Sequence, residues 1–152
     1  MKSIVVVCSY HHGNTEKVAR RIAEVLDARV VAPEGLNPAE LADCDVVGFG
    51  SGIYDAMHHK KLLDLADRLP RADGKRAFLF STDGTPRFAM KNEAAFREKM
   101  RKDHEALREK LLAKGYAIAG EFNCAGFNTN SFLRAFGGFN RGRPDARELG
   151  NR

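Results

Sequence analysis

The chain is 152 residues long, 43% hydrophobic and 30% charged, which suits one folded domain with its own core and excludes an intrinsically disordered chain. No apolar run comes near the roughly 18–20 residues of a membrane-crossing helix, so no membrane role is expected. A net charge of +5 is compatible with nucleic-acid or acidic-protein partners and specifies neither.

The apolar run at 4–8 (IVVVC) reads as a strand buried on both faces. No small-residue cleavage site follows it, so it is read as core and not as a leader, and a cytoplasmic protein is expected. Residues 13–27 read as a helix with Val18, Ala19, Ile22, Ala23 and Leu26 inward. A short strand at 30–32 is followed by a turn-rich stretch at 33–38 and a short helix over 38–42. Residues 45–50 (DVVGFG) make the third strand. A helix over 60–69 turns Leu62, Leu63, Ala66 and Leu69 inward, and 70–74 is a turn. The fourth strand covers 76–81, and a polar connection covers 83–92. A charged helix over 93–114 spaces Phe96, Met100, Leu107 and Leu111 at helical intervals, with Gly115 as its stop. The fifth strand covers 116–124. The tail from Gly126 is rich in Gly, Asn and Phe, with a last helical turn starting at Pro144.

This alternation implies an α/β fold, a doubly wound parallel sheet of five strands with helices on both faces. No repeat or composition shift divides the chain, so 1–152 is read as a single domain. Cys8, Cys44 and Cys124 form no CxxC, which excludes a zinc ribbon or a thioredoxin-type motif and leaves buried thiols.

Ligands of such sheets sit at the carboxyl ends of the strands. There the segment Ser9-Tyr10-His11-His12-Gly13-Asn14-Thr15 joins the first strand to the first helix. It combines an open helix N-terminus, hydroxyl and amide donors and a glycine, with no Lys or Arg. That is an uncharged phosphate cradle. Ser, Asn and Thr are also ordinary helix caps, and the segment alone does not choose between the two. A P-loop is excluded because GxxxxGK[ST] is missing. Gly48-Phe49-Gly50-Ser51-Gly52 has the wrong spacing for a dinucleotide fingerprint. Cys8 would suit a small phosphatase, but Asn14 stands where that site needs Arg. Two further loops, 50–55 and 81–86, bring Gly and small polar residues to the same edge.

With SYHHGNTEKVA, GSGIY and STDGT at matching strand ends, the chain resembles the flavodoxin family. The tail GFN…FGGFNRGRPDARELGN is similar to the ending of short single-domain members. The resemblance implies a strand order of 2-1-3-4-5 and flavin mononucleotide (FMN) as cofactor. By position, Ser9, His11, His12, Gly13, Asn14 and Thr15 would surround the phosphate. Ser51, Gly52, Ile53 and Tyr54 would meet the ring from one loop, and Thr82, Asp83 and Gly84 from the other. Tyr54 is the best stacking candidate, with Phe88 second. Two histidines stand where the family often has small or hydroxyl residues, and the chain is basic where typical flavodoxins are acidic.

The function implied is electron transfer or flavin-dependent reduction of a small acceptor, with a redox partner protein or NAD(P)H as donor. Whether that makes it a carrier or an enzyme stays open, and no catalytic residue is assigned. The alternative is a flavodoxin-fold binding or regulatory module without flavin. Asp83 and Asp55 are candidates for tuning the ring or for loop capping. The pairs His11-His12 and His58-His59 lack the ligand count of a metal cage, so no metal is expected. Residues 57–61 (MHHKK) read as a basic rim or as a solvated helix start. The mixed charges of 93–114 favour a solvated face or a contact with a second copy over a nucleic-acid stripe. Phe132, Arg134, Phe136, Phe139, Arg141 and Arg143 are read as tail packing on the sheet and not as nucleic-acid stacking.

Overall fold

The computed structural model describes residues 1–9, 13–83 and 92–125. In chain order it holds β1 (Ser3–Cys8), α1 (Asn14–Leu26), β2 (Arg29–Val31), β3 (Val46–Tyr54), β4 (Met57–His58), α2 (Lys60–Arg68), β5 (Arg76–Asp83), α3 (Glu93–Asp103), α4 (Glu105–Ala113) and β6 (Ala117–Ala125). The main strands lie parallel in the order β2-β1-β3-β5-β6. That is the doubly wound order 2-1-3-4-5 once the short β4, paired antiparallel to β3, is set aside.

Side chains of a strand alternate between faces, so each strand feeds two cores. Val5, Val7 and Phe80 pack under α1 with Val18, Ala19, Ile22 and Ala23. Ile4, Val6, Val47, Phe49 and Leu79 pack on the opposite face with Leu62, Leu65 and Leu69 of the α2 segment and Leu107 and Leu111 of α4. The sequence expectation for α1 holds, although Leu26 is only half-buried. In α2 Leu65 is buried where Leu63 was expected, and Leu63 is half-buried. The connection before β3 forms a 3-10 turn at Pro38–Asp43, with Asn37 and Glu40 in a reciprocal capping box.

Three boundaries differ from the sequence reading in ways that matter for the site. β3 and β5 run to Tyr54 and Asp83 because Ser51 and Gly52 pair with Ser81 and Thr82. Two of the three expected loops are therefore strand at their start. β4 is an added strand, with Ile53 opposite His58 and Tyr54 opposite Met57. The turn between them places Asp55 and Ala56 at φ 51° and 61°, as a two-residue type I′ hairpin requires. The helix expected over 93–114 breaks into α3 and α4 at His104. There Asp103 and the imidazole turn into the core with Leu107 and Leu111, while Phe96 and Met100 of the expected stripe are only half-buried.

Candidate functional site

The carboxyl edge of the sheet begins at the entry to α1. Gly13 stands at the N-cap at φ 64° and has no side chain with which to cap the helix. The N–H groups of its first turn have no partner within the helix and carry the positive end of its dipole. A Cβ added at Gly13 would meet nothing within 4 Å among the described residues. Ser9 and Asn14 are half-buried at this edge. Beside Ser9, toward β2, opens a cavity of about 270 Å³. Of its charged lining residues, Glu16 and Arg20 pair with each other and Glu34 pairs with Lys61. The Thr15 hydroxyl is buried, with Oγ1 2.6 Å from Oγ1 of Thr82. That bond ties the start of α1 to the end of β5.

On β3 the glycines at 48, 50 and 52 fall on the α1 face. A Cβ at Gly48 would stand 2.2 Å from the Phe78 ring, and one at Gly50 would stand 2.2 Å from the Phe80 ring. These glycines clear a lane for aromatic rings reaching over from β5, so their physical reason is close packing and not phosphate binding. At Gly52 the lane is taken by Tyr54, whose Oη lies 3.1 Å from where a Cβ would be. The half-buried Tyr54 ring also meets His59 edge-on, with centroids 5.2 Å apart. The His59 Nδ1 accepts from the Lys61 N–H at the start of α2. Burial first, then the Lys61 charge, hold its pKa below the ordinary histidine value against the pull of Glu34. Ser51 is fully buried; its hydroxyl donates to the Gly52 carbonyl and accepts from the His59 N–H.

The opposite face of the same strand ends is polar and closed. Asn123 Nδ2 donates to Ser81 Oγ at 2.8 Å, and Ser81 Oγ lies 2.7 Å from His104 Nε2. His104 Nδ1 lies 3.0 Å from Glu121 Oε1, which also accepts from Arg108 at 2.9 Å. Burial pushes the Glu121 pKa up, but hydrogen bonds and charge from His104 and Arg108 hold it below the ordinary carboxylate value. The His104 ring packs 4.6 Å from that of His58. His58 is 1% exposed and reaches the Phe80 carbonyl through Nε2 at 3.1 Å. A carbonyl only accepts, so Nε2 carries the proton and Nδ1 is left a bare acceptor with no hydrogen-bond partner among the described residues. Burial, then the neighbouring His104, bring the His58 pKa down to about 3, against the raising effect of the Phe80 carbonyl.

Of the residues expected at the site, the structure brings Ser9, Gly13, Asn14, Thr15, Ser51, Gly52, Ile53, Tyr54 and Thr82 to one edge of the sheet. Asp83 ends β5, and its side chain is outside the described set. Tyr10, His11, His12, Gly84, Phe88 and the whole tail also lie outside the described residues. The rim expected at 57–61 is incomplete, because His58 points inward while Met57, Lys60 and Lys61 are exposed. Lys60 pairs with Asp64 and Lys61 with Glu34. Sequence reasoning missed His104, Glu121 and Asn123. One signal was available for the first: His104 completes the helical stripe Met100, His104, Leu107, Leu111, an inward position held by an imidazole.

Among the described residues no helix is long and apolar enough to cross a membrane. A family model described as a flavodoxin domain matches residues 5–129. The chain is 38% identical over 149 residues to an uncharacterized protein of Methanocaldococcus jannaschii, covering 98% of this chain and 91% of that one. Oxidised flavodoxin 2 from Bacillus cereus superposes with a TM-score of 0.64 at 17% identity, covering 99% of this chain and 94% of that one. The two-electron reduced flavodoxin of Megasphaera elsdenii gives 0.60 at 19% identity, covering 97% and 95%. With its sheet order and this family match in agreement, the chain belongs to the flavodoxin family.

Proposed function

We propose that the protein binds FMN at the carboxyl edge of its sheet and acts in electron transfer or flavin-dependent reduction. The observation that carries this is the buried Thr15–Thr82 hydroxyl pair, which joins the start of α1 to the end of β5. The donor set fits a nucleotide monophosphate. The first-turn N–H groups of α1 and the helix dipole favour an anion without a basic side chain. Each hydroxyl has one proton, so if Thr82 donates to Thr15, the Thr15 proton is free for a phosphate oxygen. His11 and His12 would add donors at that end. Tyr54, lying over Gly52, would offer a flat wall for the ring, with the Ser51 backbone, Ile53, Asp83 and Gly84 beside it.

Bound there, FMN supplies reversible uptake and release of electrons. The chain's own part is to hold the phosphate by neutral groups, wall the ring and exclude water. Bacillus cereus flavodoxin 2 and the Megasphaera elsdenii protein are described in oxidised and two-electron reduced states respectively, which supports the same use here. The electron donor is a redox protein or NAD(P)H. A net charge of +5 favours a partner with an acidic docking surface.

The test is the absorbance spectrum of the purified protein, followed by titration of the apoprotein with FMN. A flavin band and quenching of flavin fluorescence are expected. Thr15→Val removes one hydrogen bond to a charged group, worth about 1.5–3 kcal/mol, and so weakens binding roughly ten- to a hundredfold. A colourless protein that leaves FMN fluorescence unchanged overturns the proposal in favour of a flavin-free binding module. Rapid mixing of the loaded protein with NADH and NADPH separates a reductase from a partner-reduced carrier.

A further inference from the structure

We propose that His104 is a positioning residue for the flavin site, acting through Ser81 to fix the end of β5 at which Thr82 meets Thr15. The inference rests on the FMN reading above. Successive strand residues point to opposite faces. Thr82 therefore turns toward α1 and Ser81 toward the α3–α4 break. The end of β5 is held on one side by the Thr15 hydroxyl and on the other by the His104 imidazole. Both Ser81 and His104 are 0% exposed, so water does not replace a lost partner.

The hydrogen bonds run in one direction. Asn123, in register with Ser81 on β6, donates to the Ser81 oxygen. The Glu121 carboxylate only accepts, so the imidazole proton sits on Nδ1 facing it. Nε2 is then the bare acceptor, and the Ser81 proton goes to it. Arg108 from α4 balances the carboxylate. Asp103 beside His104 is occupied by Lys99 and does not compete for the ring. Ser, His and Glu at these distances also match an acyl-transfer triad. With Ser81 wholly buried and in strand register, no substrate carbonyl reaches it, and the chain serves to orient.

The two amide variants of His104 separate orientation from packing. In His104→Gln the amide reaches the Nε2 position and still accepts from Ser81. In His104→Asn it reaches only the Nδ1 position and keeps Glu121. FMN titration of the apoproteins should show His104→Asn weakened about tenfold and His104→Gln within about threefold of the wild type, while both lose similar thermal stability. Ser81→Ala should weaken binding as His104→Asn does, and serves if the latter does not fold. Equal affinities in the two His104 variants, or affinity that simply follows melting temperature, overturn the proposal. So does a long-range proton–nitrogen NMR spectrum of the apoprotein that places the His104 proton on Nε2. If the wild type binds no FMN, the cofactor reading has failed, whereas wild-type binding with indifferent variants fails the positioning role alone.

Discussion

The two faces of the sheet end differently at the same edge. On the α1 face, glycines on β3 admit the rings of Phe78 and Phe80 from β5, and the stack closes with two neutral hydroxyls. On the α2 and α4 face, a leucine-rich core gives way at its upper end to two histidines, a serine, an asparagine and an ion pair. The first face gains its order from shape, since a ring fits only where no Cβ stands. The second gains it from hydrogen-bond direction, because buried polar groups tolerate few arrangements. Substitutions should therefore fail for different reasons on the two sides, sterically on one and through protonation on the other.

The largest expected effect is on the polar face. Unfolded histidine binds a proton near pH 6.5, whereas folded His58 refuses one until about pH 3. The unfolded state then binds more protons between those values, so folding stability falls as pH drops through that window and is flat above it. The loss from this residue is about 4 kcal/mol by pH 3. Urea denaturation at several pH values should show this acid limb, and His58→Phe should flatten it while costing stability at pH 7 through the lost Phe80 hydrogen bond. An unchanged limb would mean that His58 is solvated and that this face is not closed.

The apolar face breaks by crowding. Gly50→Ala forces the fully buried Phe80 ring aside and should cost about 3 kcal/mol. Gly48→Ala presses on Phe78, which is only half-buried and can swing out, so its cost should be smaller. Chemical denaturation of the two variants gives the order directly, and Phe80→Leu should recover part of the loss in the Gly50→Ala background. Equal costs would show that the two rings are equally free and that the lane is not set by burial.

The same contrast explains what the sequence disclosed. The α1 face was legible because apolar periodicity reports burial, and Val18, Ala19, Ile22 and Ala23 lie where the 3.6-residue repeat puts them. The strand ends were half legible. Glycine and serine after a strand read as loop, yet Ser51, Gly52 and Thr82 continue the ladder because neighbouring strands supply partners for their backbones. The polar face was hidden. A lone histidine in a charged helix has no pattern of its own, and what commits His104 to the core is Glu121, 17 residues further on. Hydrogen-bond partners distant in sequence carry no periodic signal, so a buried network leaves a gap in the apolar stripe and nothing more.

The hairpin joining the faces gives the smallest effect and a test of whether its strain serves the site. Tyr54 on β3 lies over Gly52 on the α1 face, and His58 on β4 packs with His104 on the other. Between them exposed Ala56 holds φ 61°. A left-handed conformation costs a residue with a Cβ about 1–2 kcal/mol, and a type I′ turn prefers glycine there. Ala56→Gly relieves that cost and gives back part of it through the freer unfolded chain. A net gain of up to about 1 kcal/mol is expected, seen as a melting temperature higher by a few degrees. FMN affinity should stay the same, since both ends of the hairpin remain paired. A gain in stability with a loss of affinity would instead show that the strained turn helps to press Tyr54 and His58 onto their two faces.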